Sequence, residues 1–234
     1  MDNISVEGLV IRTIHYNESS EIVHLLTKGG IISVMCKGAR RYKSHKLSFC
    51  IPLTRVNAII TDSKVPTLID YSIIDSYDYI KEDLKANLWF SYLLEILNKL
   101  QENNYFSHIY KMLIRCLELA YENDAMKLVL TCQVKLLKAF GVEPELKYCV
   151  KCHKNDIKFF SIKEGGFLCE DENASDRVDY KLYLPIKKIY YFDIYNEDFK
   201  ELNNIDFKDV FSKITAYYQY HIDIEIHSLS SLII

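Results

Sequence analysis

VEGLVIRTIHYNESSEIVHLLTKGGIISVMCK, residues 6–37, decides the fold. It reads as three strands, Val6–Ile14, Glu21–Thr27 and Ile31–Lys37, punctuated at Asn17 to Ser20 and at Gly29-Gly30. Asn and Ser mark turns because their side chains satisfy nearby backbone groups, and glycine because it tolerates backbone angles that other residues resist. Between the turns, Glu7-Gly8-Leu9-Val10-Ile11-Arg12-Thr13-Ile14 shows the alternation of a strand with one face buried. The pattern continues outward over Ile51–Thr61, where Arg55-Val56-Asn57-Ala58-Ile59-Ile60 alternates, and over Thr67–Tyr79 beyond a break at Asp62 to Pro66. Five short strands in about 80 residues predict a small barrel; the five-stranded OB-fold is the commonest version that binds oligonucleotides, and an SH3-like barrel is its rival.

The period changes near Glu82. Leu84, Leu88, Tyr92, Glu95, Ile96 and Lys99 recur with helical spacing, Tyr105–Tyr121 and Ala125–Phe140 repeat it, and Gly141 followed by Pro144 is a helix stop. Residues 145–175 break the pattern with paired cysteines, Gly165-Gly166 and an acidic stretch. Helical spacing returns at Leu182, Ile186, Ile189, Tyr190 and Phe192, and again at Phe207, Val210, Ile214, Tyr217 and Tyr218. The expected class is therefore α+β in two domains, with a five-stranded OB-fold β-barrel over residues 1–80. A helical domain over residues 81–234 carries a zinc-ribbon-like insert at about 145–175. The sequence shows no internal repeat and no low-complexity linker.

Hydrophobic residues make up 49% of the 234 and charged residues 26%, the balance of a chain that folds. The richest apolar segment, Leu84 to Leu100, is broken by Lys85, Asn87, Glu95 and Lys99, so no membrane span is expected. Asp2 and Glu7 stand where an export signal would carry positive charge, and the chain reads as cytoplasmic. Seven cysteines, an odd number without an export signal, point to free thiols or metal ligands rather than a disulfide framework.

With a net charge of −3 the whole-chain field does not attract nucleic acid, so any such binding must be local. The sharpest asymmetry is Lys37-Gly38-Ala39-Arg40-Arg41-Tyr42-Lys43-Ser44-His45-Lys46, with five fixed positive charges and no acid. Residues 1–80 hold nine Lys or Arg against eight Asp or Glu, so over half of that positive charge lies in this stretch. Lys37, Arg40, Arg41, Lys43 and Lys46 suit phosphates, Tyr42 can stack on a base, and Gly38 lets the backbone come close. The bland alternative is a solvated inter-strand loop.

Cys149-Val150-Lys151-Cys152, followed after sixteen intervening residues by Cys169-Glu170-Asp171-Glu172, has the spacing of two zinc-ribbon knuckles, each a tight turn presenting two sulfurs. Glu172 stands where the fourth cysteine would be, which makes Cys149, Cys152, Cys169 and Glu172 the candidate ligands of one structural Zn²⁺. Asp171 and His153 are substitutes for the fourth place. The bland alternative is a decayed knuckle packed around Phe159, Phe160 and Phe167. A redox role for Cys149 and Cys152 lacks the βαβ setting of thioredoxin-like motifs.

The sequence contains no phosphate-cradling glycine motif, no nucleophile elbow and no H-E-x-x-H, and none of its seven histidines has Glu two residues on. No catalytic residue is assigned. His108, His221 and His227 read as structural, and Tyr190, Tyr191, Phe192 and Tyr195 read as core.

Taken together, five ordered islands resemble the bacterial DNA repair and recombination protein RecO family. They are Glu7-Gly8-Leu9-Val10-Ile11; Glu18-Ser19-Ser20-Glu21-Ile22-Val23-His24-Leu25-Leu26-Thr27; and Val34-Met35-Cys36-Lys37-Gly38-Ala39-Arg40-Arg41. Lys135-Leu136-Leu137-Lys138-Ala139-Phe140-Gly141-Val142-Glu143-Pro144-Glu145-Leu146 then leads into the Cys149 knuckle, and Gly165-Gly166-Phe167-Leu168-Cys169 completes the set. The resemblance implies an N-terminal OB-fold, a helical C-terminal domain and, in many members, a four-cysteine zinc ribbon, from which Glu172 departs. It also implies a nucleoid-associated recombination mediator that binds single- and double-stranded DNA and anneals complementary strands. Such a mediator acts with RecR to load RecA onto DNA coated by single-strand-binding protein, in the RecF pathway. A zinc-ribbon and OB RNA-binding protein is the alternative from another class, and a thiol oxidoreductase a third.

Overall fold

In the computed structural model the chain is described over residues 2–100, 104–222, 226, 228 and 232. His227 and the apolar tail 229–234, apart from Leu232, lie outside the described residues. The chain divides into two compact units, Met1–Leu117 and Glu118–Ile234.

The first unit opens with β1 (Asn3–Tyr16), β2 (Ser20–Thr27), β3 (Gly30–Cys36), β4 (Arg55–Thr61) and β5 (Leu68–Asp75), all antiparallel in the order β3-β2-β1-β4-β5. Strand β1 is long enough to serve both halves: Asn3 to Leu9 pair with β4, and Leu9 to Tyr16 with β2. A register shift between Val10 and Arg12 lets it turn from one partner to the other, because an extra residue on one strand bends it and raises its twist. The ends then meet. Met35 N–H donates to Pro66 O at 2.8 Å and a parallel bridge joins Met35 to Thr67, so β3 lies beside β5 and the sheet closes. Closure with this order is the five-stranded OB topology. Val10, Val23, Leu25, Val34, Val56 and Ile60 fill the interior, each no more than 1% exposed.

Strand β1 runs beyond the Val6–Ile14 read from sequence at both ends, and two other strand ends fall four residues inside the sequence reading. Residues 51–54 form a turn whose Leu53 N–H donates to Val10 O at 2.9 Å, so β4 starts at Arg55 rather than at Ile51. Strand β5 stops at Asp75, because Tyr77 takes a left-handed backbone and α1 (Asp78–Glu82) begins. Helices α2 (Leu84–Leu97) and α3 (Phe106–Leu119) follow, and the first compact unit runs past residue 80 because they pack onto the barrel. Asn98 Nδ2 donates to Ile11 O at 3.1 Å, and Glu7 Oε1 on β1 accepts from Tyr110 on α3 at 2.8 Å and from Arg55 Nη2 on β4 at 2.6 Å.

The second unit holds α4 (Ala125–Leu136), a small sheet of β6 (Phe159–Ser161), β7 (Gly166–Leu168) and β8 (Val178–Asp179) in the order β7-β6-β8, then α5 (Leu184–Tyr191) and α6 (Phe207–His221). The residues spaced for a buried α6 face, Phe207, Val210, Ile214, Tyr217 and Tyr218, are all buried. Tyr217 and Tyr218 also donate their hydroxyls to Val142 O at 3.1 Å and Gln133 O at 2.9 Å. The tyrosine stripe read as core is not core: Phe192 is buried, but Tyr191 is 57% and Tyr195 41% exposed. Helix α5 is two turns long, so Ile186, Ile189 and Phe192 complete its inward face and the hydroxyl-bearing rings turn outward. Among the described residues no helix is long and apolar enough to cross a membrane.

Candidate nucleic-acid interface and metal centre

The basic loop leaves the barrel at Cys36 and returns through a 3-10 helix, His45–Cys50. Gly38 has φ +70, the left-handed region, and Arg41 N–H donates to Gly38 O at 3.1 Å to close the turn. Ala39 is drawn into the core at 1% exposure, which throws its neighbours outward. Lys37, Arg40, Arg41, Tyr42 and Lys43 are exposed, Tyr42 at 92%, while Lys46 is half-buried. Lys43 Nζ lies 5.5 Å from the centre of the Tyr42 ring. The foot of the loop is pinned to β5 by Tyr71, whose hydroxyl donates to His45 O, lies 2.6 Å from Ser48 Oγ, and whose ring meets Phe49 edge-on.

Arg40 differs from the other cations. Its Nη2 donates to Asn17 O at 2.5 Å, its backbone N–H to Ser19 O at 2.9 Å, and its Nε lies 3.3 Å from Glu21 Oε1. Glu21, 2% exposed, also takes His15 Nδ1 at 2.8 Å. The guanidinium thus ties the loop to the β1–β2 turn and neutralises a buried carboxylate. Sequence reading missed Glu21, although its signal was there: it shares the inward alternation of Val23 and Leu25 on β2.

Beside the loop is a groove of about 500 Å³ lined by the β1–β2 turn (Asn17, Ser19, Ser20), the end of β3 with Lys37 and Arg41, and the β4–β5 connection at Val65 and Thr67. In OB-folds these two connections and the β2–β3 face are where oligonucleotides bind.

In the second unit, Cys149, Cys152 and Cys169 bring their sulfurs within 4.8 Å of one another, Cys152 and Cys169 at 3.5 Å. The knuckle is a tight turn in which His153 N–H donates to Cys149 O and Cys149 N–H to Lys154 O, both at 2.9 Å, with His153 at φ +59. Burial pushes the Cys149 thiol up, but the backbone N–H groups of Cys152, Cys169 and Lys151 outweigh it and hold the thiol down at about 7. Three sulfurs with amide hydrogens aimed at one of them suit a thiolate-bound Zn²⁺. Among the described residues no carboxylate or imidazole joins the cluster: Asp171 is bound to Lys154 Nζ at 2.6 Å, and Glu172 lies outside it. Gly166 lets this region close, since a Cβ there would sit 2.6 Å from Glu145 O. Leu168 packs with Cys149 and Cys169, flanked by Val150, Ile157, Phe159 and Ala174, while Phe160 and Phe167 are buried at 1% exposure and Phe160 stacks on Tyr183 at 3.7 Å.

Two family models cover nearly all of this architecture: the N-terminal model of recombination protein O matches residues 1–77, and its C-terminal model residues 81–230. The chain belongs to the RecO family. The DNA repair protein RecO of Halalkalibacterium halodurans is 32% identical over 204 residues, which cover 80% of this chain and 78% of that protein. The corresponding RecO proteins of Bacillus pumilus and Bacillus cereus are 32% identical over 202 residues and 30% over 213, covering 82% and 87% of this chain and 78% and 84% of theirs. The RecO C-terminal match takes in the whole cysteine insert and α5.

Proposed function

We propose that the chain is a non-catalytic recombination mediator in DNA repair, binding single- and double-stranded DNA through residues 1–80 and annealing complementary strands. The observation that carries this reading is the position of the basic loop: Lys37 and Arg41 line the groove between the two barrel connections where OB-folds take oligonucleotides. Lys37, Arg41, Lys43 and Lys46 hold phosphates, Arg40 fixes the loop and lends its remaining donors, and Tyr42 stacks. Contacts to phosphates and to a base face leave base edges free to pair, which annealing requires. Membership of a family of DNA repair proteins supports the wider role: action with RecR on DNA coated by single-strand-binding protein, and help in loading RecA in the RecF pathway. Cys149, Cys152 and Cys169 would hold a structural Zn²⁺, with Glu172 or water in the fourth place; when bound, the ion supplies a cross-link, not chemistry on DNA.

The test is oligonucleotide binding and strand annealing as salt is varied. Five phosphate contacts on a single strand give a slope of about −3.5 in log K against log salt, or about a hundredfold loss for a fourfold rise in salt. Lys37→Ala/Arg41→Ala/Lys43→Ala should weaken all sequences alike and lower the slope by about 2. An unchanged slope removes the loop from the reading, and preference for structured RNA over DNA overturns it in favour of an RNA-binding module.

A further inference from the structure

A polar cavity of about 370 Å³ opens in the second unit beside the cysteine knuckle. Lysines reach its wall from three places in the chain: Lys147 ahead of Cys149, Lys158 ahead of β6, and Lys187 on α5. Against these three ammonium groups the described lining holds one carboxylate, Asp156, at 3.0 Å from Lys158 Nζ, so the wall is net positive. Lys187 Nζ lies 5.6 Å from the centre of the buried Phe167 ring and Lys147 Nζ 5.0 Å from that of Tyr148. The charged heads of Lys147 and Lys187 thus rest against aromatic rings, while that of Lys158 is shared with the exposed Asp156.

The same wall offers a ring. Tyr180 is half-buried and meets Phe167 edge-on at 6.0 Å, which fixes its plane. The stretch 180–192 carries three lysines, four tyrosines and, like the basic loop, no carboxylate. An adjoining hollow shares Leu184 and Lys187 and adds Lys188, the exposed Tyr191 and one carboxylate, Glu197. Phosphate-neutralising cations beside a fixed aromatic face are the two components of sequence-blind single-strand binding. A duplex keeps its bases stacked inward and would leave Tyr180 unused.

We propose that this face of the second unit is a further binding site for single-stranded nucleic acid, with Lys147, Lys158 and Lys187 on phosphates and Tyr180 against one base. A strand held here, apart from one on the barrel loop, gives the protein two places for the two strands it anneals. The inference rests on the DNA-binding reading above, and the experiment separates the two.

The full chain is titrated with labelled oligothymidylate over a range of salt, as wild type, as Lys147→Ala/Lys158→Ala/Lys187→Ala, and as the loop variant Lys37→Ala/Arg41→Ala/Lys43→Ala. Removing the three lysines should lower the salt slope by about 2 while leaving the thermal midpoint unchanged, and combining both sets should lower it by about 4. An oligonucleotide carrying bromodeoxyuridine should cross-link to Tyr180 in the wild type and in the loop variant. Wild-type slope and cross-linking in the lysine variant, with the slope lowered only in the loop variant, overturns this site and leaves the barrel reading intact. Thymidine monophosphate that displaces the cross-link at equal nucleotide concentration would make the site one for a free nucleotide and overturn the strand. Failure of the wild type to bind any DNA removes the barrel reading and this one together.

Discussion

Glu21 stands at a position that the alternation of β2 assigns to the barrel interior, and a carboxylate there is costly unless it is paired. Arg40 and His15 supply the pairing, but the His15 side chain is 77% exposed and Arg40's only 30%, so the guanidinium is the partner that matters. Two adjacent arginines in the same loop therefore do different work. Arg40→Ala leaves Glu21 with only a solvent-screened imidazole and removes the side-chain bond to Asn17 O, keeping only the backbone bond to Ser19; chemical denaturation should show a loss of about 1–3 kcal/mol. Arg41→Ala, on an exposed side chain with its guanidinium over the groove, should change stability by less than about 0.5 kcal/mol while lowering the salt slope of DNA binding by about 1. Equal stability for the two variants would show that Glu21 does not need Arg40. The sequence announced the charge of this loop clearly, since five cations without an acid are visible by inspection. It did not reveal that one of the five is spent on the fold, because that depends on a partner nineteen residues away brought close by strand pairing.

Elements are held at their ends and at their crossings. Asp83, Asp124 and Asp206 cap α2, α4 and α6, their carboxylates accepting backbone N–H groups of the first turn. Asp206→Ala should cost about 1 kcal/mol by thermal or chemical denaturation, and Asp206→Ser should restore most of it. Periodicity placed the start of α4 at Ala125, where it begins, but ran it on to Phe140 although it ends at Leu136. Hydrophobic spacing continues into the turn there because Leu137 is still buried. The crossing of β1, β4 and α3 depends on Glu7, whose carboxyl is held below its ordinary 4.5 by hydrogen bonds from Arg55 and then Tyr110, with burial opposing them. A depressed folded value means the unfolded chain binds the proton more tightly. The stabilisation is thus complete above pH 4.5 and is lost as the pH falls through the depressed value. Glu7→Gln should remove that part of the acid dependence and cost about 1 kcal/mol at neutral pH, a modest figure because the side chain is 35% exposed. An acid unfolding curve identical to wild type would show that the triad does not contribute. No sequence pattern joins positions 7, 55 and 110; the barrel register and the packing of α3 bring them together.

At the scale of the molecule, the order of domains and the ribbon-like insert were legible, because a change from period two to helical spacing and a cysteine pair both survive in one dimension. The limit of the first compact unit was less legible, since α2 and α3 share the helical period of the later helices but pack with the barrel. That division makes a chelation experiment on the full chain informative. The cysteine-bearing insert is tied into the second unit through Phe160 against Tyr183 and through Gly166 against Glu145, whereas the barrel has its own core of Val10, Val23, Leu25, Val34, Val56 and Ile60. Hydrogen exchange before and after a strong chelator should therefore show protection lost at 147–183, spreading into α5, with β1–β5 unchanged. Metal analysis of the untreated protein should give one Zn²⁺ per chain, and Cys149→Ser should reproduce the exchange pattern of the chelated protein. Glu172→Ala then tests the fourth position: retained zinc removes Glu172 from it, and lost zinc assigns the carboxylate. Zinc absent from the untreated protein, together with full protection over 147–183, would mean that three thiols and the packing of Phe160 and Phe167 hold this region without an ion.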